Sequence, residues 1–461
     1  MFKESVLTVK IEKLSNLGLG IAKVDGYVIF VPNTCPEDIV KIKIIKKNKN
    51  YANAELLEIV TPSDKRVEPF CKMQKVCGAC QLQFIDYNEQ LKIKKEIVQD
   101  TMHSICGNNL DVRDVIPSPE VKEYRHKIQY PIGQTKESKR ILAGYYKTGT
   151  HELVNIKHCP IQPEYCDSII EYIRTNAKVT GYSENTHKGE LRHVVIRTSQ
   201  ANKKSLVILV VNSDIVSPEI KKLCESVYKN LENIAGVGVN FNTKKTNLIL
   251  GNRTQIVCGE NFIEENLCDK TFKVGVNTFF QVNPLSADNI FRYIKRYISK
   301  NFDNPTILDA YAGITAFGIC MSDIALKVVS IEEVKDSVEL AKKIIEENRI
   351  DNIELHQGDA GEFLATETAL GRQFQITILD PPRKGCSLNS LDYALKLTEK
   401  KIIYVSCNPA TLARDLKYLI EHGATVEFVQ PFDMFPHTYH IESVAIIDLK
   451  NVQVKDIKLP Y

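Results

Sequence analysis

Apolar and polar residues alternate along VLTVKIEKL (6–14) and again along DIVKIKIIKKNKNYANAELLEIV (38–60). The glycines of NLGLGIAKVDGYVIFVP (16–32) punctuate the stretch between them. A period of two marks half-buried strands, and several short strands in one small segment predict a barrel of the oligonucleotide-binding type over residues 1–60. TPSDKR (61–66) reads as a linker, and YNEQLKIKKEIVQDTMHSI (87–105) predicts a helix. From about residue 121 the chain is rich in strand patterns, HVVIRTS, SLVILVVN, GVGVNFN and TNLILG, with helices between them. Residues 67–262 are thus expected to form a central α+β unit, its helix at 88–105 placed to pack on the C-terminal unit.

From about residue 275 the rhythm changes. Apolar runs PTILDA, LKVVSIE, IELHQGDA, QITILDPP and KIIYVSC alternate with helical patterns such as KDSVELAKKIIEENR and PATLARDLKYLIEHG, and ATVEFVQPF and SVAIIDL close the series. About seven strands with helical crossovers predict a mostly parallel sheet covered on both faces over 263–461. The fold class expected is therefore multidomain α/β: an N-terminal barrel, a central α+β unit and a Rossmann-like C-terminal unit.

Composition adds limits. In 461 residues, 43% are hydrophobic and 25% charged, as in ordinary globular proteins, which excludes a disordered or low-complexity chain. No run of eighteen apolar residues occurs, and the N-terminus lacks the continuous apolar core of a signal peptide, so a cytoplasmic protein with no membrane partner is expected. A net charge of +3 says little about partners. The lysines at 41, 43, 46, 47 and 49 are either a solvated edge strand defended by charge or a phosphate-contacting ribbon. The 13 cysteines, odd in number and without export signals, suit thiols, metal ligands or a nucleophile better than disulfides. Only Cys71, Cys77 and Cys80 cluster.

In parallel sheets, ligands bind at the carboxyl ends of strands. Asp309, Glu332, Asp359, Asp380 and Cys407 all fall at or near such ends. In LDAYAGITAFG, Gly313 permits a tight turn towards a ligand, while Thr315 stands where a dinucleotide fingerprint has a second glycine. Glu332 is placed to accept hydrogen bonds from ribose hydroxyls, so the pair favours a cofactor containing adenosine. Asp380 enters the stiff loop DPPRKGC. In VSCNPATLARDL, Asn408 can cap a helix with Pro409 at its first position, and the helix field would stabilise a Cys407 thiolate. Glu442, in FPHTYHIESV beside His437 and His440, is either a salt-bridged core acid or a general base near that thiol.

With these residues in view, the chain closely resembles the S-adenosylmethionine-dependent RNA uracil-5-methyltransferases, and within them the bacterial 23S ribosomal RNA branch. FFQVNP (279–284), DxxxG at 309–313, DPPR (380–383), SCNP (406–409) and HIES (440–443) lie in the family's order and approximate spacing. The resemblance covers essentially the whole chain and makes the N-terminal segment similar to a TRAM domain, so Lys41, Lys43 and Lys46 become RNA-contact candidates. It implies that Cys407 attacks carbon 6 of uracil, that the methyl group passes to carbon 5, and that Glu442 removes the carbon 5 proton as general base. It also implies cofactor contacts from Gln281, Tyr311, Glu332 and Asp380, with Asp359 near the adenine, and a target base flipped from its stack.

Cys71, Cys77 and Cys80 with the distant Cys159 match the family's four-cysteine site. Four thiolates by themselves suit zinc or a 4Fe–4S cluster, and the resemblance favours iron–sulfur in a structural or RNA-positioning role. The other cysteines read as core or incidental thiols. YRHKIQYP (124–131) resembles an RNA-contacting stretch and adds Arg125 and Lys127, with His126 where asparagine is common. Thr315, Ala312 and Ala316 depart from the family pattern around the cofactor. The partner expected is 23S ribosomal RNA, with no obligate protein partner. A transfer-RNA uracil-5-methyltransferase is the alternative, weighed down by the N-terminal barrel and the cysteines, which such relatives usually lack. A radical enzyme is disfavoured because its CxxxCxxC spacing is absent. A catalytically weak RNA-binding or assembly protein would leave Cys407, Asp380 and Glu442 without purpose.

Overall fold

The computed structural model describes residues 6–107, 109–135, 137 and 139–452. The N-terminal strands are β1 (Val6–Lys10), β2 (Lys13–Leu14), β3 (Gly20–Val24), β4 (Tyr27–Val31), β5 (Ile39–Lys47) and β6 (Tyr51–Thr61), joined in one six-stranded sheet of order β1-β5-β6-β4-β3-β2. The alternation read from sequence is the alternation of faces. Val40, Ile42 and Ile44 enter a core with Val9, Ala22, Ile29 and Val31, while Lys41 and Lys43 point outward. Opposite those lysines on β6 stand Glu58 and Glu55, so the ribbon is less basic than its sequence suggests. The expected linker is fastened rather than loose. Arg66 forks onto the buried Asp38 carboxylate, Nη2 to Oδ2 at 2.6 Å, and the Ser63 amide donates to the same carboxylate at 2.9 Å.

Helix α1 (Tyr87–Cys106) comes next, capped by Asp86 and ended by Gly107 in the left-handed region. The central unit comprises β7 (Lys127–Gln134), β8 (Ile141–Tyr146), β9 (Leu153–Asn155), α2 (Glu164–Asn176), β10 (Leu191–Thr198), β11 (Ser205–Val211), α3 (Pro218–Asn230), β12 (Ile234–Phe241) and β13 (Arg253–Gly259). Its seven-stranded sheet has the order β13-β12-β11-β10-β7-β8-β9. SLVILVV in β11 is buried throughout because both faces are covered. On one side lie Ile169, Ile173, Leu223 and Val227 of α2 and α3. On the other, Val195, Leu206, Ile208 and Val210 share a core with Phe272, Phe291 and Ile307 of the C-terminal unit.

That unit comprises the hairpin β14 (Phe262–Leu267) and β15 (Lys270–Gly275), then α4 (Pro284–Asn301), β16 (Thr306–Asp309), α5 (Ala316–Met321), β17 (Lys327–Glu332), α6 (Lys335–Glu347), β18 (Ile353–Gln357), α7 (Ala360–Ala369), β19 (Phe374–Leu379), α8 (Leu388–Leu397), β20 (Thr398–Ser406), α9 (Pro409–Glu421), β21 (Thr425–Phe432) and β22 (Glu442–Asp448). The sheet order is β18-β17-β16-β19-β20-β22-β21. The first five strands are parallel, and β22 runs antiparallel to β20 and β21. The order reverses about β16, the kind of switch point where such sheets open a crevice for ligands. Helix α1 does pack on this unit, with Val98 and Met102 in one core with Leu412 and Leu416 of α9. Residues 112 and 116 form single bridges to Val429 and Phe432 on β21. Among the described residues no helix is long and apolar enough to cross a membrane.

Candidate active site

Parallel pairing in register brings the ends of neighbouring strands to one edge. Glu332, Asp309, Asp380 and Cys407 therefore stand side by side at the ends of β17, β16, β19 and β20, with Asp359 just beyond β18. Asp309 is 1% exposed, and burial pushes its carboxyl up to about 7 against hydrogen bonds from the Gly318 amide and the Ser330 hydroxyl. Asp380 and Glu332 push it further the same way. Burial likewise raises Asp380 to about 7. Asp309 is therefore closed off from solvent beneath the strand ends, beside Ser330, and acts on this corner through its charge state rather than as an open ligand group.

Glu332 is held by the turn it faces. Its Oε2 accepts from the Gly313 amide and its Oε1 from the Val334 amide, both at 2.8 Å. Gly313 has φ +57°, so the glycine expected at this turn is needed for its conformation. Thr315, two residues on, has φ +60° as well, and its buried hydroxyl lacks a partner. Tyr311 lies among Cys386, Ser390 and Asp359, and burial raises its phenol. Asp359 caps α7 by accepting from the Glu362 amide at 3.0 Å. Gln281 lies in the loop before α4, and no hydrogen bond joins it to the strand-end cluster among the described residues. The next residue ties that loop to the central unit, with the His126 amide donating to Val282 O at 2.7 Å.

The antiparallel strand β22 begins where β20 ends. Ser406 pairs with Ser443, so Glu442 lies beside Cys407. Glu442 is 5% exposed, and burial, reinforced by Asp380 and opposed by Arg383, raises its carboxyl well above the usual range. The thiol differs from expectation. Asn408 caps α9 by accepting from the Ala410 amide at 3.1 Å, yet burial pushes Cys407 up to about 11, helped by Glu442. Desolvation and two carboxylates outweigh the helix field. The countering group is Arg383, within hydrogen-bond reach of the thiol. The sequence placed Arg383 within DPPR and Asp309 within the strand-end acidic series, but gave neither an individual role. The signal for Asp309 was its place in the acidic series, whereas Arg383 had no signal beyond its motif.

The four cysteines converge. Cys71, Cys77, Cys80 and Cys159 line one small cavity with His158, although residue 71 and residue 159 belong to different segments. Burial, with mutual repulsion, pushes Cys80 up to about 12, and burial does the same for Cys159. Among the described residues, however, no group of three or more His, Cys, Asp or Glu side chains stands ready to hold a metal ion. The convergence is therefore found, and a preformed metal centre is not. Cys35, Cys166, Cys224, Cys268, Cys320 and Cys386 are buried.

The RNA-contact candidates are dispersed. Lys41 and Lys43 lie on the outer face of β5 and Lys46 near its end. Arg125 is turned towards Tyr145, Tyr124, Cys159 and Cys80. Lys127 is half-buried, and burial beside Arg197 and Arg125 lowers it to about 7, a poor setting for a phosphate contact.

A row of acids at the strand ends beside the switch point, with a thiol and a carboxylate on adjoining strands, is the arrangement of a methyltransferase dependent on S-adenosylmethionine. Comparison with known proteins agrees. Residues 86–450 match the tRNA (uracil-5-)-methyltransferase family and residues 3–57 match the TRAM domain. The chain is 35% identical over 453 residues to an uncharacterized RNA methyltransferase of Halalkalibacterium halodurans, spanning 97% of this chain and 98% of the relative. It is 35% identical to another from Clostridium tetani, spanning 96% of each. A solved structure of the Pyrococcus abyssi tRNA (uracil-54, C5)-methyltransferase with S-adenosyl-L-homocysteine aligns at 25% identity and a TM-score of 0.75, covering 96% of this chain and all of that one. The chain belongs to the RNA uracil-5-methyltransferase family. The alignment with a transfer-RNA enzyme across nearly the whole length also corrects one expectation: an N-terminal extension of this kind does not by itself exclude a transfer-RNA target.

Proposed function

We propose that this protein methylates carbon 5 of a specific uridine in 23S ribosomal RNA. The observation that carries the chemistry is the pairing of β20 with β22, which sets Cys407 and Glu442 side by side with Arg383 against the thiol. Cys407, once ionised, adds its sulfur to carbon 6 of uracil and makes carbon 5 nucleophilic. S-adenosylmethionine supplies the methyl group. Glu442 then takes the carbon 5 proton, and elimination across carbons 5 and 6 returns the sulfur to Cys407. Glu332 suits the ribose hydroxyls, Asp380 and Tyr311 the remainder of the cofactor, Asp359 the adenine side and Gln281 the approach from the central unit. The carboxylates of Glu332, Asp380 and Asp309 gathered at these strand ends fit a ligand that brings donors and positive charge.

We assign a 4Fe–4S cluster to Cys71, Cys77, Cys80 and Cys159, supported by their convergence on one cavity with Arg125 alongside as counter-charge. Methyl transfer moves no net electrons, so the group would brace residue 71 against residue 159. Iron and acid-labile sulfide in anaerobically purified protein would support this, zinc would replace it, and absence of both would reject it. Lys41, Lys43 and Lys46 are assigned to RNA, and the chain is divided at 1–60, 67–262 and 263–461.

A second reading keeps the chemistry and places the target in transfer RNA, favoured by the alignment with the Pyrococcus abyssi enzyme. Labelled S-adenosylmethionine with 23S ribosomal RNA and with bulk transfer RNA, followed by nucleoside mass spectrometry, separates the two. 5-Methyluridine in ribosomal RNA alone is expected. Label in transfer RNA alone overturns the target, and full methylation by Cys407→Ala overturns the mechanism.

A further inference from the structure

Behind the loop that carries Gln281 lies a cavity of about 370 Å³, within the size range of small-ligand sites. Three separated segments and the start of α4 build it. Lys122 and His126 come from the stretch before β7, Tyr165 from the start of α2, Lys203 from the turn after β10 and Asn283 from the cap of α4. None of these residues belongs to the strand-end cluster.

Its walls are fixed. The buried Glu265 carboxylate accepts from the backbone amides of Gln200, Ala201 and Asn266 at 2.7, 3.2 and 3.0 Å, which holds the turn that presents Lys203. Lys203 has φ +61° and Glu123, on the opposite rim, φ +52°. Left-handed non-glycine residues are uncommon and concentrate at ligand sites, where surrounding structure sustains the strain. His126 is 5% exposed with Nδ1 bonded to Thr198 Oγ1 at 2.7 Å, and burial next to Lys203 keeps it neutral, at about 4. The Tyr165 hydroxyl is buried beside Thr198, the residue that also holds His126, so the two side chains are set from one point of β10.

The chemistry is that of a ribonucleotide. Lys122, its ammonium over the Phe70 ring at 4.7 Å, and Lys203, bonded to Gln200 Oε1 at 3.1 Å, are both exposed and can turn to a phosphate. A neutral imidazole and a phenol beside it offer polar groups to the edge of a base. Glu120 and Glu123 can accept from a 2′-hydroxyl or an exocyclic amine, which favours RNA over DNA. We propose that this cavity receives a ribonucleotide of the substrate RNA other than the target uridine, an assignment that rests on the RNA-methyltransferase reading. Because the His126 amide holds Val282, filling the cavity would also steady the Gln281 loop.

The test uses the full chain, with 23S ribosomal RNA and transfer RNA as probes in filter binding and in steady-state methylation. Lys122→Gln/Lys203→Gln should weaken RNA binding about tenfold and flatten its salt dependence by about one unit per lysine. KM for RNA should rise with kcat unchanged, and S-adenosyl-L-homocysteine binding should not move. Tyr165→Phe, which removes one atom, should raise KM several-fold and leave the salt slope as it was. Unchanged RNA affinity in both variants overturns the subsite, as does a fall in kcat alone. If the wild-type chain binds RNA without methylating it and the variants lose that binding, the subsite stands while the methylation reading fails.

Discussion

The ammonium of Lys94 on α1 meets the carboxylate of Asp433, 339 positions further along the chain, at 2.6 Å, with both side chains fully buried. The pair anchors the loop that runs from β21 into Glu442. Tyr87 donates its hydroxyl to the other Asp433 oxygen at 2.8 Å, and Lys94 also donates to Phe435 O at 3.1 Å. Gln90 receives the His437 amide, Tyr124 donates to Pro436 O, and the Leu82 amide, next to the cysteine segment, donates to His437 O. Helix α1, the cysteine segment and the central unit thus all grip the loop that delivers the carboxylate beside Cys407.

Removing one member of that pair leaves the other charged and buried. Lys94→Met is expected to lower stability by roughly 3–5 kcal/mol, and Lys94→Met/Asp433→Leu to recover much of it. Denaturant unfolding of both variants checks this. Equal losses would show that the loop depends on something other than the ion pair.

Both reacting groups are held in the wrong protonation state by burial. Cys407 must lose its proton to attack, and Glu442 must lose its own to accept one, while both are raised. The active forms are the deprotonated ones, so kcat/KM for RNA should climb with pH and still be climbing as it approaches about 11, where the thiol titrates. A flat profile would mean that bound RNA or cofactor resets both groups before chemistry.

Arg383 is the one group that lowers Cys407. Arg383→Gln should reduce kcat/KM by about tenfold for each unit by which the thiol rises, with partial recovery at higher pH. Arg383→Lys should restore part of the rate. Iodoacetamide alkylation against pH reads the thiol directly and should shift upward in Arg383→Gln.

Thr315 occupies a left-handed position that strains a β-branched residue, and its methyl crowds the space beside Gly318. Thr315→Gly is expected to stabilise the chain by about 1 kcal/mol, since the strain relieved exceeds the flexibility gained by the unfolded chain. Thermal unfolding tests this. S-adenosyl-L-homocysteine titration would show whether the same strain shapes the cofactor turn.

Much of the site was legible because its signals are local. The period of two in β5 records which face Val40, Ile42 and Ile44 present, and each strand-end acid lies within a few residues of the apolar run that places it. Asn408 and Pro409 announce the start of α9 by themselves. The roles proposed for Cys407 and Glu442 rest on five motifs in a familiar order together with the pairing of β20 and β22.

What local pattern does not record is which distant segments pair and what burial then does to charge. Insertion of β22 antiparallel between β20 and β21 is a choice of partners across the sheet, and it alone puts Glu442 next to Cys407. The same holds for Lys94 with Asp433, and for the glutamates opposite Lys41 and Lys43. Protonation is further removed still, because desolvation is a property of the packed surroundings. The sequence by itself determined the elements, their faces and the reactive residues. The tertiary structure decided which of those residues meet, and that the thiol expected to be acidic is held neutral by burial.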